Sequence, residues 1–582
     1  MTLIDILSSG NNSTPYLRSI ISFLSDWEVI VGFVRVSRTT RFCPFTSRCE
    51  KYNGDGKLLP TAFSSRPSSL CELVGVLDFR SSTHSRNGAK KYCECSPRCR
   101  KYLNDTAAIT SINMFSRVHT VIFDNNLSDA VLCEVGVKYR NYLVTLEMHV
   151  PGIRDISSLG TCTCLRSVDL DSSGVECLTA LKGCSRLEHL ILSRTNIKDI
   201  EVLSNFKKLN TLVMTDMKRV NDLTALSRCS KLCVLDIRSC VQVSNISALA
   251  KCCALSSLLL NNTRISALSS FKNYIFLSIL CASNTEIAST SGLENCVNLS
   301  IVDLSNCRAL VDVRELGQCS MIKSINLSCC SLLSDVSHLR YCSCLASLDL
   351  HKTAVSDVTD IGRCLLLETI YLHDICSTDM RIKNLLAGLD NCTSLKTIKA
   401  FNNHFLKNIS DVGKCLHLHA LHLSNCTLLT DISGLRYSST LVTLSINRTG
   451  VLDVSALAYC SSLENIYLNN TSVNDVSPLG ECSRLVRLDL SKCAYLVDVW
   501  ELGECKHLKY LDLSHTPVTD VTSLASCGAL MTLKLDYCMN INNIWGLGMC
   551  TSLDSLSLCG VKVSSSSIDP CAPAPWIKKK KK

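Results

Sequence analysis

The stretch from Leu485 to Cys527, LVRLDLSKCAYLVDVWELGECKHLKYLDLSHTPVTDVTSLASC, says nearly the same thing twice. Leu485, Leu488 and Leu490 return 23 residues later as Leu508, Leu511 and Leu513, and the next return, at Leu530, comes after 22. Each copy closes on a cysteine, Cys505 and then Cys527. What the doubling builds, and why its period alternates, decides the fold.

Taking the first apolar residue of L-x-x-L-x-L as an anchor, the pattern recurs from Leu143 through Leu165, Leu187 and Leu209 to Leu553, with a weaker copy at Val118. Every step after Leu143 is 22 or 23 residues except one of 28, from Leu367 to Leu395. This is the period and the core of the leucine-rich repeat. Each unit reads as a short strand, a turn, an inward apolar residue and a helical or 3-10 return. One unit cannot bury its own apolar face, whereas stacked units bury a continuous core. The expected fold is therefore an α/β leucine-rich repeat solenoid of about twenty units. A curved parallel β-sheet lines its concave face, and short helical or 3-10 returns line its convex face. Three spans are expected: a basic, cysteine-containing cap over 1–105, the solenoid over 106–562, and a Pro-containing basic tail over 563–582.

The alternation tracks one position, eight residues past the anchor. It is Thr in 22-residue units such as those of Thr195, Thr263, Thr285, Thr353, Thr449, Thr471 and Thr516, and Cys in most 23-residue units (Cys240, Cys307, Cys330, Cys426, Cys493, Cys538). Both are small donors able to bond nearby backbone. The extra residue is expected to widen a loop and leave the strand register alone. Twelve or thirteen residues past the anchor stands an Asp, as at Asp199, Asp335, Asp431 and Asp520, placed to cap the return.

The chain holds 38 cysteines. Three residues before most anchors stands one of them, Cys184, Cys229 and Cys505 among others, and the exceptions are Phe206, Tyr274 and Ser438. A slot shared by Cys, Phe and Tyr is a buried packing slot in which free Cys behaves as a small hydrophobe. Stacked free thiols suit a reducing compartment, so the expected location is cytoplasmic or nuclear.

Hydrophobic residues make up 46% of the chain and aromatic ones 5%, a mix suited to many small aliphatic layers. The net charge of +9 is uneven: residues 1–105 carry fifteen Lys/Arg against nine Asp/Glu, Lys578–Lys582 add five, and the remainder carries 40 basic against 42 acidic residues. The long middle is thus no basic groove, and nucleic acid is not the expected partner. No apolar run reaches the ~20 residues of a membrane span. The start, MTLIDILSSGNNSTPYLRS, lacks the basic and apolar regions of a signal peptide. In the N-terminal region Cys43, Cys49, Cys71, Cys93, Cys95 and Cys99, with His84, fall within zinc-binding chemistry but form no C-x-x-C pair. An ordinary cap over the first repeat is the simpler expectation, and no metal site or cofactor is assigned.

P-loop, G-x-S-x-G and H-E-x-x-H patterns are lacking, so no catalytic residue is assigned and the chain is read as non-enzymatic. Residues two, four, six and seven past each anchor point outward from the strand face. There Asp349, His351, Tyr371, His373, Lys399, Phe401, His422 and Tyr467 gather aromatics beside charges, the composition of a binding hot spot. The 28-residue unit, which inserts a loop, falls in the same stretch.

The units LDLSHTPVTDVTSLASC and LDLSKCAYLVDVWELGEC resemble those of trypanosome leucine-rich repeat proteins, among them putative adenylate cyclase regulatory proteins. The resemblance covers about 118–560 and rests on D-V-S-x-L with the alternating period. It implies a non-enzymatic regulatory scaffold that binds a protein partner. Some members of that family carry an N-terminal RING-type zinc finger. The alternative reading is accordingly a substrate-recognition adaptor or RING-like ubiquitin ligase with a zinc-binding N-terminal region.

Overall fold

The computed structural model describes residues 76–78, 117–123, 128–376, 385–407, 409–541 and 544–561. The N-terminal cysteines, His84 and the lysine tail lie outside the described residues. The chain divides into two compact units, Met1–Leu232 and Cys233–Lys582.

Among the described residues of the first unit six strands pair in parallel, each with the next: β1 (Val76–Asp78), β2 (Thr120–Phe123), β3 (Thr145–Met148), β4 (Ser167–Asp169), β5 (His189–Ile191) and β6 (Thr211–Val213). The ladder begins at β1, inside the span that the sequence reading assigned to the cap. One α-helix, α1 (Asp129–Lys138), serves as the return between β2 and β3. Ser128 caps it by accepting the Ala130 N–H at 3.3 Å, and Asp129 and Lys138 lie at the dipole ends that suit their charges. It packs on the 3-10 turn Ser157–Thr161 so closely that a Cβ at Gly136 would stand 2.7 Å from Ser158 Cβ.

Among the described residues the second unit carries fifteen three-residue strands, β7 (Val234–Asp236) to β21 (Ser555–Ser557), again parallel and each beside its sequence neighbour. Register is the same whatever the period. Thr443 pairs with Asn465 across 22 residues, Arg487 with Tyr510 across 23, and Thr369 with Thr397 across 28. Inside, anchor leucines such as Leu485, Leu488 and Leu490 are fully buried. At ~25 cal/mol per Å² of apolar area, such layers supply most of the gain on folding.

The period alternates because two side chains close the same turn differently. Each Thr Oγ1 donates to the carbonyl three residues back in its own unit, at 2.6–2.8 Å. In the Cys units the backbone N–H makes that bond, at 3.2–3.3 Å, and a further turn, as from Leu310 N–H to the Cys307 carbonyl, takes up the extra residue. The thiol is then free to reach the preceding unit: Cys307 to Ala282, Cys330 to Leu304, Cys426 to Ala400, Cys493 to Leu468 and Cys538 to Leu513, at 3.0–3.4 Å. Asn403, after the 28-residue unit, does both, donating to its own Ala400 carbonyl and to Leu372, each at 2.8 Å.

On the returns, all ten carboxylates from Asp199 to Asp520 named by the pattern accept a backbone N–H two residues on, at 2.7–3.1 Å. Each Asp stands one residue ahead of the cap position itself, as with Asp199 before Ile200. At Asp335 and Asp431 the bonds to Ser337 and Ser433 hold the carboxyl below its ordinary value.

The closing cysteines are more than fillers. Twelve of them donate Sγ–H to a carbonyl of the preceding return, at 3.2–3.5 Å, as Cys505 does to Leu479 and Cys527 to Leu502. Burial pushes these thiols up to about 11 at Cys229 and Cys460 and about 12 at Cys505 and Cys527, so they keep the proton they donate. Tyr274, in the same slot, sends its hydroxyl to the Leu249 carbonyl. Ser438 is too short, and its buried Oγ has no hydrogen-bond partner among the described residues.

Ser438→Cys should therefore stabilise the protein by about 1 kcal/mol, through one regained bond and better filling. Ser438→Ala should be close to neutral. Denaturant unfolding of the two variants beside the parent measures both.

Candidate docking surface

Four neighbouring strands of the second unit, β12 (Ser347–Asp349), β13 (Thr369–Tyr371), β14 (Thr397–Lys399) and β15 (Ala420–His422), place Asp349, Tyr371, Lys399 and His422 in one row. Two residues further along each chain comes a second row, His351, His373 and Phe401. Strand alternation turns both rows to the same face, because every second residue shares a side.

The second row is a stack of rings. His351 and His373 lie 4.4 Å apart at 7°, and His373 and Phe401 lie 4.1 Å apart at 19°. The Tyr371 ring meets His373 edge-on at 6.5 Å, and Lys399 Nζ sits 4.9 Å from the Tyr371 centroid. Rings at these separations attract beyond their buried area, and the ammonium adds a cation–π contact. Asp349, itself buried, accepts from His351 twice: from the backbone N–H at 3.0 Å and with Nδ1 2.7 Å away.

Electrostatics follow from this packing. Burial, then the neighbouring His351, pushes His373 down to about 4, so its ring is neutral near pH 7. Burial and Lys399 lower His422, while burial and then Asp349 raise Tyr371. His373 Nδ1 is buried with no hydrogen-bond partner among the described residues. The stack is thus a half-buried aromatic surface bordered by Asp349 and Lys399 and holding one unanswered polar atom.

Tyr467 stands apart from this group. It is two strands beyond His422, since His422 pairs with Ser445 and Ser445 with Tyr467. Its neighbours are residues that the sequence reading missed. The Arg487 guanidinium lies 5.8 Å from the Tyr467 ring and 4.0 Å from the Tyr510 ring. Tyr510 donates to Asp512 at 3.2 Å, and Lys534 Nζ is 3.3 Å from the same carboxylate. Arg487 and Tyr510 stand two residues past their anchors rather than four. A scan of both outward columns together would have exposed them.

The insertion of the 28-residue unit falls partly on 377–384, outside the described residues. Among the described residues no cluster of three or more His, Cys, Asp or Glu is placed to hold a metal ion. Among them, too, no helix is long and apolar enough to cross a membrane.

No family model and no curated protein matches this chain. Solved structures do. A leucine-rich-repeat protein of Leptospira interrogans is 15% identical, over 71% of this chain and 95% of that one, with a TM-score of 0.53. A TDR receptor is 15% identical over 79% of this chain and 88% of its own, with a TM-score of 0.54. TLR13, in a complex with ssRNA13, is 17% identical over 79% and 76%, with a TM-score of 0.51. The fold is a leucine-rich-repeat solenoid.

His373 gives the surface a pH dependence of determined sign. Its folded value of about 4 lies below the ordinary imidazole value of ~6.5, so the unfolded chain binds the proton more readily. Stability should fall as pH drops below about 6.5 and level off near 4. His373→Phe should keep the ring stack and flatten that part of the profile. Imidazole NMR titration checks the assignment directly; a His373 titrating like an exposed histidine would contradict it.

Proposed function

We propose that this chain is a non-enzymatic protein-interaction scaffold whose sheet face around β12–β15 docks a protein partner. The observation that carries the reading is the His351–His373–Phe401 stack beside Tyr371 and Lys399. Rigid rings in a half-buried setting, bordered by charge, offer large contact area at little conformational cost. The unpartnered His373 Nδ1 suits a hydrogen bond from a docked chain.

The Arg487–Tyr467–Tyr510 cluster extends the same face and suits a partner with acidic side chains. The resemblance of the repeat units to trypanosome regulatory proteins supports a regulatory role for the scaffold. The free thiols support a cytoplasmic or nuclear setting.

A photo-crosslinker at exposed Lys352 identifies the docked protein in cells, and affinity is then measured on purified components. Tyr371→Ala and Phe401→Ala should each weaken binding by at least ~30-fold, the loss of a hot-spot side chain. The unfolding midpoint should stay near that of the parent. Unchanged affinity in both variants would overturn the assignment of this face.

A further inference from the structure

Among the described residues most thiols are sealed in the interior, whereas Cys329 is one of those that are not. It sits just past β11 (Ser324–Asn326), part-exposed, in a turn held at a left-handed φ of 61°. Its Sγ lies 3.7 Å from His351 Nε2, and His351 Nδ1 lies 2.7 Å from Asp349 Oδ1. A carboxylate accepts, so the hydrogen resides on Nδ1 and the Nε2 lone pair faces the thiol. Thiol, imidazole and carboxylate in that order form a base-activated nucleophile, with the third group fixing the tautomer of the second.

The surroundings tune the site. Burial, above all, raises the Cys329 thiol above its ordinary value; Lys352 and Arg308 pull it back toward the thiolate and Asp349 and Cys376 oppose them, so the thiol holds its proton until His351 takes it. His373 covers one face of the His351 ring at 4.4 Å. Two cations beside a part-exposed sulfur also attract an anionic reagent. Burial holds the interior ladder thiols protonated, as at Cys342, where the thiol is pushed up to about 12.

We propose that Cys329 is a reactive thiol that exchanges with small, negatively charged disulfides, with His351 as its base and Asp349 as the residue that positions the base. In the step the Cys329 proton passes to His351 Nε2 as Sγ attacks one sulfur of the disulfide. The new bond joins Sγ to that sulfur, the original S–S bond breaks, and the leaving thiolate takes the proton back from Nε2. Cys329 is oxidised to a mixed disulfide, and the departing half is reduced to a thiol, so no further oxidant enters.

The test uses the full, reduced chain with glutathione disulfide and, separately, with uncharged 2-hydroxyethyl disulfide. Peptide mass spectrometry then follows each cysteine in time. Cys329 should form the mixed disulfide at least about tenfold faster than Cys344, which is also part-exposed. His351→Gln should slow Cys329 by about tenfold or more and remove an inflection from its pH–rate profile. Asp349→Asn should shift that inflection, a readout that a packing role would leave alone. Lys352→Glu should slow glutathione disulfide more than the neutral reagent. Continued protection of Cys505 and Cys527 shows that a variant is folded. The comparison of Cys329 with Cys344 in the parent needs no variant. Equal rates at Cys329 and Cys344, or an unchanged profile in folded His351→Gln, would overturn the proposal. Equal slowing of both reagents by Lys352→Glu would overturn its preference for charge.

Discussion

A strand of three residues and a single 3-10 turn cannot satisfy their own backbone, and that constraint governs this chain. Buried carbonyls must find donors, because an unmet one costs about 1–3 kcal/mol. Each unit therefore leans on the next. The Leu502 carbonyl takes the Cys505 N–H from within its unit and the Cys527 thiol from the unit beyond. The slot asks for a side chain that is apolar, compact and still able to donate over a long reach. Cysteine meets all three demands, and tyrosine meets the last by length. The Phe206 ring fills without donating, and the Ser438 hydroxyl has no partner among the described residues.

The repeat itself was legible because periodicity reports burial, and burial is what leucines at fixed offsets record. The Asp caps and the constant register were legible for a similar reason, since each depends on local spacing. The role of the closing cysteines was half legible. Their shared slot with Phe206 and Tyr274 gave away burial, but the direction of a hydrogen bond leaves no mark on composition. The strand Val76–Asp78 escaped because it precedes the regular spacing.

Of the candidate surface, Asp349, His351, Tyr371, His373, Lys399 and Phe401 come together as their column positions suggested, and His422 adjoins them through its strand. Tyr467 belongs with Arg487 instead, because side-chain length decides which outward columns meet across a sheet. Arg487 reaches sideways over Tyr510, which no offset count conveys. Cys329 was hidden among so many structural thiols. Its partial exposure and its distance to His351 separate it from them. His351 in turn belongs both to the ring stack and to the thiol pair, so the surface and the sulfur chemistry share one imidazole.

Since the strand partners keep one register across steps of 22, 23 and 28 residues, a unit is an interchangeable brick. Deleting or duplicating one whole unit leaves every remaining strand a neighbour of the right length and every closing thiol a carbonyl to meet. A chain built this way can gain or lose a whole unit without a new interior each time. Its outward columns are then free to be reshuffled as a vocabulary while the grammar beneath them stays fixed.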